Sequence, residues 1–166
     1  MNLITSVLLD GVFAAVAAAG FAIISNPPRK AILISALLAA IGHSLRYYLV
    51  NNTSLELVTS TLIAAFTIGM FSMFFAKLIR CPAEVFSFPS LLPMIPGMYA
   101  YKTVLGLIRF MGCKEDALLP EYIVEIFRNG LTSVFVLFAL VIGVSLPLFI
   151  FHKQSFMMTR LLKKER

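Results

Sequence analysis

The sequence predicts an all-α integral membrane protein, a bundle of about five transmembrane helices with the fourth broken at Pro93 and Pro96-Gly97. Its 166 residues are 60% hydrophobic and only 13% charged, and the mean hydropathy is +0.92. A soluble core of this length cannot bury so many apolar side chains. The composition therefore assigns the chain to the lipid bilayer.

Five stretches are long enough to cross the hydrocarbon layer, which takes about 20 apolar residues in a helix. They cover residues 3–25, 31–50, 57–79, 84–110 and 123–151. We therefore expect one transmembrane bundle over residues 1–152 and a basic cytoplasmic tail over residues 153–166. The first stretch lacks a basic start and contains Asp10, which favours a retained helix over a cleaved signal peptide.

Small residues recur at helical spacing in the first stretch. One row is Gly11, Ala15 and Ala19, and another is Ala14, Ala18 and Ala22. Small side chains let a second helix approach closely in a membrane. We expect this helix to pack tightly in the bundle, and the small-residue faces also permit a homo-oligomer.

Basic residues follow the first, third and fifth stretches. They are Arg29, Lys30, Lys77, Arg80, Lys153, Arg160, Lys163, Lys164 and Arg166. By the positive-inside rule, the amino terminus is outside and the carboxyl terminus is cytoplasmic. The net charge of +6 then reflects attraction to anionic lipid headgroups. Dispersed basic residues without aromatic interleaving argue against a nucleic-acid partner.

The fourth stretch is interrupted at its centre by Pro93-Met94-Ile95-Pro96-Gly97. A proline cannot donate to the carbonyl four residues earlier, so this segment leaves carbonyl groups without helical partners. Unpaired backbone at membrane depth is tolerated beside a cavity, an ion or a substrate. The alternative is a simple proline kink that Ser and Thr hydroxyls repair.

A half-helix that restarts after Pro96 would present main-chain dipoles to the membrane interior. Its amide groups at Gly97, Met98 and Tyr99 suit an anion such as a substrate carboxylate. The freed carbonyls before the break suit a cation, an ammonium or a water. We expect a zwitterionic amino acid or a small carboxylate to fit this combination.

Three ionisable residues, Asp10, His43 and Arg46, fall in the outer halves of the first two predicted spans. His43 and Arg46 are three residues apart and share a helix face, so a facing Asp10 could meet either. Charges at that depth need a partner or water. A pair of Asp10 with His43 or with Arg46 could simply hold the two helices together. Alternatively it titrates protons, since histidine can change charge near neutral pH.

Polar residues in the later spans are less specific. Asn129 and Thr132 lie in the outer third of the fifth predicted span, where such side chains serve as ligands or as interhelical hydrogen bonds. Lys102 is interpreted as an interfacial anchor, because its methylenes let the ammonium reach the membrane surface. We find no metal-ligand spacing, phosphate loop or nucleophile–base pair, and expect neither an enzyme nor a cofactor.

Four segments together resemble a known family. They are Phe21 to Pro28, Ile41-Gly42-His43-Ser44-Leu45-Arg46, Pro93 to Tyr101, and Asn129-Gly130-Leu131-Thr132-Ser133. In this order they resemble the threonine/serine exporter (ThrE-like) family, and more closely its small stand-alone YjjB-type membrane subunits. The resemblance covers essentially the entire chain.

The resemblance implies a function and a partner. Members are bacterial inner-membrane exporters of threonine and serine, and the split two-subunit version is associated with export of succinate. Fused members carry two membrane halves in one polypeptide. This chain would supply one half, a half-transporter, and work with a YjjP-type second membrane subunit. From the ionisable residues of the first two spans we expect export to be driven by the proton-motive force.

We therefore expect a subunit of a secondary exporter with two sets of site residues. The substrate-binding set is Pro93, Pro96, Gly97, Met98, Tyr101, Asn129 and Thr132. The proton-coupling or gating set is Asp10, His43 and Arg46. Two alternatives are a structural or regulatory membrane subunit without its own substrate site, and an intramembrane enzyme acting on lipid or peptide.

Overall fold

The protein is described by a computed structural model over residues 3–150, where six α-helices and two short 3₁₀ turns occur and no strand. The helices are α1 (Leu3–Ile24), α2 (Arg29–Asn52), α3 (Leu57–Ile79), α4 (Glu84–Leu91), α5 (Gly97–Gly112) and α6 (Leu119–Ile150). The 3₁₀ turns are Leu92–Met94, directly after α4, and Asp116–Leu118, directly before α6. The predicted basic tail, residues 153–166, lies outside the described residues.

Within that range α1, α2, α3 and α6 are each long and apolar enough to cross a membrane. The segments Glu84–Met94 and Gly97–Gly112 make a fifth span if the broken pair counts as one. The predicted class of helical membrane protein is confirmed, and so is the interruption of the fourth span. The last helix begins at Leu119, four residues before the predicted start. Pro120 is compatible with this start, because amide groups in the first turn of a helix have no intrahelical acceptor.

Local chemistry sets the helix ends. After α1, Asn26 has a positive φ of 49°, and the following Pro27-Pro28 cannot continue a helix. The Thr53 amide donates to the carbonyl of Leu49 at 3.1 Å and closes α2. At the end of α3, Arg80 takes the left-handed conformation with φ 60°.

The chain divides into two compact units. The first contains α1 to α4, the turn Leu92–Met94 and the part of α6 that starts at Ala139. The second is Ile95–Phe138, which contains α5 and the first part of α6.

In the first unit, α2 packs against α1, α3 and α4. Its core is apolar and includes the fully buried Leu38, Ile68, Phe86 and Met94. The buried residues of α1 are all small: Gly11, Ala14, Ala18 and Ala22. Close packing is thus confirmed for the predicted row of Ala14, Ala18 and Ala22, where α2 approaches the α1 backbone. In the other predicted row only Gly11 is buried, and the two alanines are partly buried.

Two glycines bring α3 and α6 into backbone contact within the first unit. A Cβ on Gly143 would lie 2.7 Å from the carbonyl oxygen of Leu62 and 2.8 Å from the Ala65 Cβ. A Cβ on Gly69 would lie 2.9 Å from the carbonyl oxygen of Val144. Any larger residue would separate the helices, so this crossing depends on the absence of both side chains.

The second unit is a helical hairpin of α5 and the first part of α6. A Cβ on Gly106 would lie 2.9 Å from a side-chain carbon of Ile126, and one on Gly130 would lie 3.4 Å from a side-chain carbon of Thr103. The later residue of α5, Gly106, contacts the earlier residue of α6, Ile126, and the earlier Thr103 contacts the later Gly130. The two helices are therefore antiparallel. Each contact has a glycine on one side, which keeps the two helices close.

Candidate functional site

The first two helices bring Asp10 and His43 together. Nδ1 of His43 contacts Oδ2 of Asp10, and the two side chains are 16% and 27% exposed, respectively. The sequence left open whether Asp10 would meet His43 or Arg46, and the structure shows the contact with His43. A largely buried carboxylate beside an imidazole is a site where a proton can be held.

Arg46 joins this pair to the broken span. Its Nη2 lies 3.1 Å from Nε2 of His43, and its Nη1 donates to the carbonyl oxygen of Met94 at 2.9 Å. Nε2 of His43 also lies 3.3 Å from the carbonyl oxygen of Pro93. The three ionisable residues and the last two residues before the break therefore form one polar network, all of it within the first unit.

Small residues beside the network determine this geometry. Ser44 donates from Oγ to the carbonyl of Val7 at 3.0 Å, and Gly11 faces Ser44 without a side chain between them. On another face of α2, a Cβ on Gly42 would lie 2.7 Å from Cγ1 of Ile68 on α3 and 3.0 Å from the terminal methyl of Met94. The glycines thus let α1 approach α2 from one side, and Ile68 and Met94 approach it from another.

A buried hydroxyl holds α4 against the same helix. Oγ of Ser90 lies 2.8 Å from the carbonyl oxygen of Ser35 and 2.6 Å from that of Phe86. One hydroxyl hydrogen is thus shared between the backbone of α2 and the backbone of its own helix. This contact anchors the segment that ends at the break.

The last two carbonyls before the break, those of Pro93 and Met94, contact side chains of the chain itself. The sequence predicted that the carbonyls freed by the prolines, those of Pro89 and Leu92, would suit a cation, whereas the guanidinium of Arg46 binds at the carbonyl of Met94. A cation at the carboxyl end of a helix is favourable because the terminal carbonyls carry partial negative charge. No pattern in the sequence indicated this contact, which joins residues 48 positions apart.

The amide groups after the break differ from the prediction. Gly97 donates its amide to the carbonyl of Ile95 at 2.8 Å, and Tyr99 donates to the carbonyl of Pro96 at 3.1 Å. Two of the three donors expected to face an anion are therefore already used. The cause is local, because the non-helical Ile95-Pro96 segment turns its own carbonyls toward the start of α5.

The other predicted substrate residues are exposed or donate hydrogen bonds to their own helix. A Cβ on Gly97 would meet nothing within 4 Å, so open space lies beside it. Met98 and Tyr101 are 67% and 60% exposed. Asn129 donates from Nδ2 to the carbonyl of Glu125 at 2.9 Å, and Thr132 donates from Oγ1 to that of Arg128 at 2.7 Å. Both side chains therefore donate to the backbone of their own helix, and their side-chain oxygens remain available as acceptors.

A cleft that the sequence did not predict lies in the second unit. It has a volume of about 600 Å³. Its polar lining consists of Tyr99, Lys102, Glu121, Glu125, Arg128 and Asn129. One sequence pattern could have indicated this cleft. The spacing of Glu121, Glu125 and Arg128 places three charged side chains on one face of a helix. Lys102, interpreted from the sequence as an interfacial anchor, lines this cleft.

These features define a class: a helical membrane protein with several spans, one of them interrupted, and ionisable side chains bound to the carbonyls at the interruption. The family model described as "Threonine/Serine exporter, ThrE" matches residues 10–150. The chain therefore belongs to the threonine/serine exporter family, and the resemblance predicted from its motifs is confirmed. Membership places the chain in a family of membrane-embedded, exporter-type transporters.

A relative from Haemophilus influenzae, an uncharacterized protein, is 34% identical over 148 residues. The match covers 89% of this chain and 48% of that protein. The chain thus spans about half the length of this relative. No solved structure matches the chain.

Proposed function

We propose that the chain is one half of a secondary exporter of small carboxylates or amino acids, either succinate or threonine and serine. It works with a second membrane subunit of the YjjP type and is coupled to the proton-motive force through Asp10, His43 and Arg46. The observation that carries the proposal is the hydrogen bonding of His43 and Arg46 at the carbonyls of the broken span. A group that binds a proton is thereby connected to an interrupted helix.

The relative that is about twice as long supports the two-part organisation, since one polypeptide there has room for two such halves. In this proposal the chain lies in the bacterial inner membrane with its amino terminus outside and its carboxyl terminus in the cytoplasm. That orientation follows from the positions of the basic residues beside the spans.

The coupling chemistry follows from the two neighbours of Nε2 of His43. When the imidazole is neutral with its proton on Nδ1, facing Asp10, Nε2 accepts a hydrogen bond from Nη2 of Arg46. When the imidazole is protonated, Nε2 carries a hydrogen and donates to the carbonyl of Pro93 instead. The two arrangements exclude each other, because Nε2 either has a free lone pair and accepts, or carries a hydrogen and donates.

Protonation would therefore move Arg46 as well as His43. Asp10 and Arg46 balance in charge while the imidazole is neutral, and uptake of a proton adds one positive charge. The imidazolium then repels the guanidinium, which also donates to the carbonyl of Met94. Both carbonyls at the break change partners in this step, and that change is the proposed link between a proton and the conformation of the fourth span.

Reconstitution in proteoliposomes tests the proposal. Vesicles loaded with labelled succinate, threonine or serine are compared with this chain alone, with the pair of subunits, and with and without an inward proton gradient. We expect efflux from the pair only, accelerated by the gradient. Absence of efflux from the pair for all three substrates would overturn the exporter assignment. A purely structural role predicts instead that variants of Asp10, His43 and Arg46 lower assembly and flux in equal measure.

Replacement of His43 by glutamine separates titration from hydrogen bonding. Glutamine can donate and accept hydrogen bonds but does not gain a proton, so we expect export to be at least tenfold slower and to lose the pH dependence of the wild type. Ser44→Ala is the matched control, because it removes a hydrogen bond to α1 at the next position and should retain the pH response. Equal pH profiles for the wild type and His43→Gln would contradict the coupling role.

A leucine at position 97 tests whether the open space beside the break belongs to the substrate path. Gly97→Leu is expected to insert and fold normally, since its Cβ meets nothing within 4 Å, while export falls at least fivefold. Gly112→Leu is the control at the opposite end of α5, where a Cβ also meets nothing within 4 Å. The ratio of export rate to membrane abundance is the measurement, and equal ratios for both variants would remove Gly97 from the path.

A further inference from the structure

The cleft of the second unit has walls of mixed charge. Tyr99 and Lys102, three residues apart, contribute from α5. On α6, Glu121, Glu125 and Asn129 follow one another at intervals of four residues, and Arg128 is three residues after Glu125, so these side chains share one face of that helix. A volume of about 600 Å³ is within the range of pockets that bind small molecules.

The four charges of this cleft balance but do not pair. Lys102 and Arg128 are positive, and Glu121 and Glu125 are negative. Over the described part of the chain, none of them has an ion pair within 4.0 Å. The two carboxylates lie one helical turn apart, an arrangement that is unfavourable unless a cation lies near both. Charges that are balanced overall and unpaired locally favour a ligand that carries both signs.

We propose that this cleft binds a small zwitterion, with its ammonium against Glu121 and Glu125 and its anionic group against Lys102 and Arg128. The guanidinium of Arg128 suits a carboxylate because it can donate two parallel hydrogen bonds. The side-chain oxygen of Asn129 remains an acceptor for the ammonium, since the hydrogen that this residue donates goes to the backbone at Glu125. The inference rests on the proposed function and narrows its substrate class.

The same charge pattern disfavours a dicarboxylate. Succinate would place its second carboxylate near Glu121 or Glu125, where like charges repel. It would also leave the negative wall of the cleft without a partner. The inference therefore selects amino acids over succinate among the substrates that the proposed function leaves open.

Two sources supply an ammonium and an anionic group on one small unit: a free amino acid and the headgroup of phosphatidylethanolamine. Both are tested with the purified full chain in nanodiscs. One set contains only phosphatidylglycerol, which has no ammonium, and the other contains phosphatidylethanolamine as well. Equilibrium binding of labelled serine and threonine is compared with that of labelled succinate in both sets.

In phosphatidylglycerol nanodiscs we expect serine and threonine to bind at least tenfold more tightly than succinate. Lys102→Gln and Glu125→Gln should each weaken binding at least tenfold, whereas Lys114→Gln and Glu115→Gln, outside the cleft on the same unit, should not change it. Competition by phosphatidylethanolamine would show that its headgroup enters the same cleft. Binding that is unaffected by both cleft substitutions, or equal for serine and succinate, would overturn the proposal.

A charge reversal makes the test more specific. Glu125→Lys changes the cleft from neutral to a net charge of +2, so we expect its preference to invert in favour of succinate. In export by the reconstituted pair, Lys102→Gln and Glu125→Gln should raise the KM for serine at unchanged membrane abundance. An unchanged KM in a pair that exports would sink this inference alone, whereas a wild-type pair without export would sink the proposed function.

Discussion

Arg46→Gln is expected to reduce export by the reconstituted pair about a hundredfold. The guanidinium donates to the carbonyl of Met94 at 2.9 Å and lies 3.1 Å from Nε2 of His43. A hydrogen bond to a charged group contributes about 1.5–3 kcal/mol, and each 1.4 kcal/mol is a factor of ten. Loss of both bonds also leaves the Asp10 carboxylate without a balancing positive charge in a largely buried site.

Arg46→Lys distinguishes charge from geometry at the same position. Lysine keeps the positive charge but has no planar fork that could reach two acceptors at once, so we expect intermediate export. Initial efflux rates normalised to membrane abundance are the measurement. Arg109→Gln, in the exposed last turn of α5, is the matched control. Should Arg46→Gln export at more than half the wild-type rate with an unchanged pH profile, the polar network would have no part in coupling.

Gly143→Leu is expected to have the largest effect on stability. A Cβ there would meet the carbonyl oxygen of Leu62 at 2.7 Å and the amide nitrogen of Phe66 at 3.1 Å. These are backbone atoms of α3 and cannot move aside without displacing the helix. Overpacking a close contact costs about 1–3 kcal/mol and more where the backbone resists, so we expect a loss of at least about 3 kcal/mol.

Thermal unfolding in detergent measures this loss, together with the yield of monodisperse protein. Gly20→Leu is the control, since a Cβ at Gly20 meets nothing within 4 Å and the helix should tolerate leucine. Gly69→Leu should behave like Gly143→Leu, because its Cβ would approach the carbonyl oxygen of Val144 at 2.9 Å. Equal melting temperatures for Gly143→Leu and Gly20→Leu would mean that the helices do not cross at these glycines.

Much of the fold could be predicted because its causes are local. Apolar length determined the spans, with α3 matching the predicted residues 57–79 and α1 ending one residue before its predicted limit. Proline chemistry located the break, because Pro93 and Pro96 cannot donate wherever they are placed. The shared helix face of His43 and Arg46 is likewise fixed by their separation of three residues.

The sequence by itself determined a helical membrane protein with an interrupted span and ionisable residues near each other in its first two helices. Only the tertiary structure decided which partners those residues take. Nε2 of His43 meets the carbonyl of Pro93 across 50 positions of sequence, and Lys102 shares a cleft with Glu125 although they lie on different helices. Helix periodicity assigns a residue to a face, but the contacts of that face depend on how closely other helices approach, which here is controlled by glycines at the crossings.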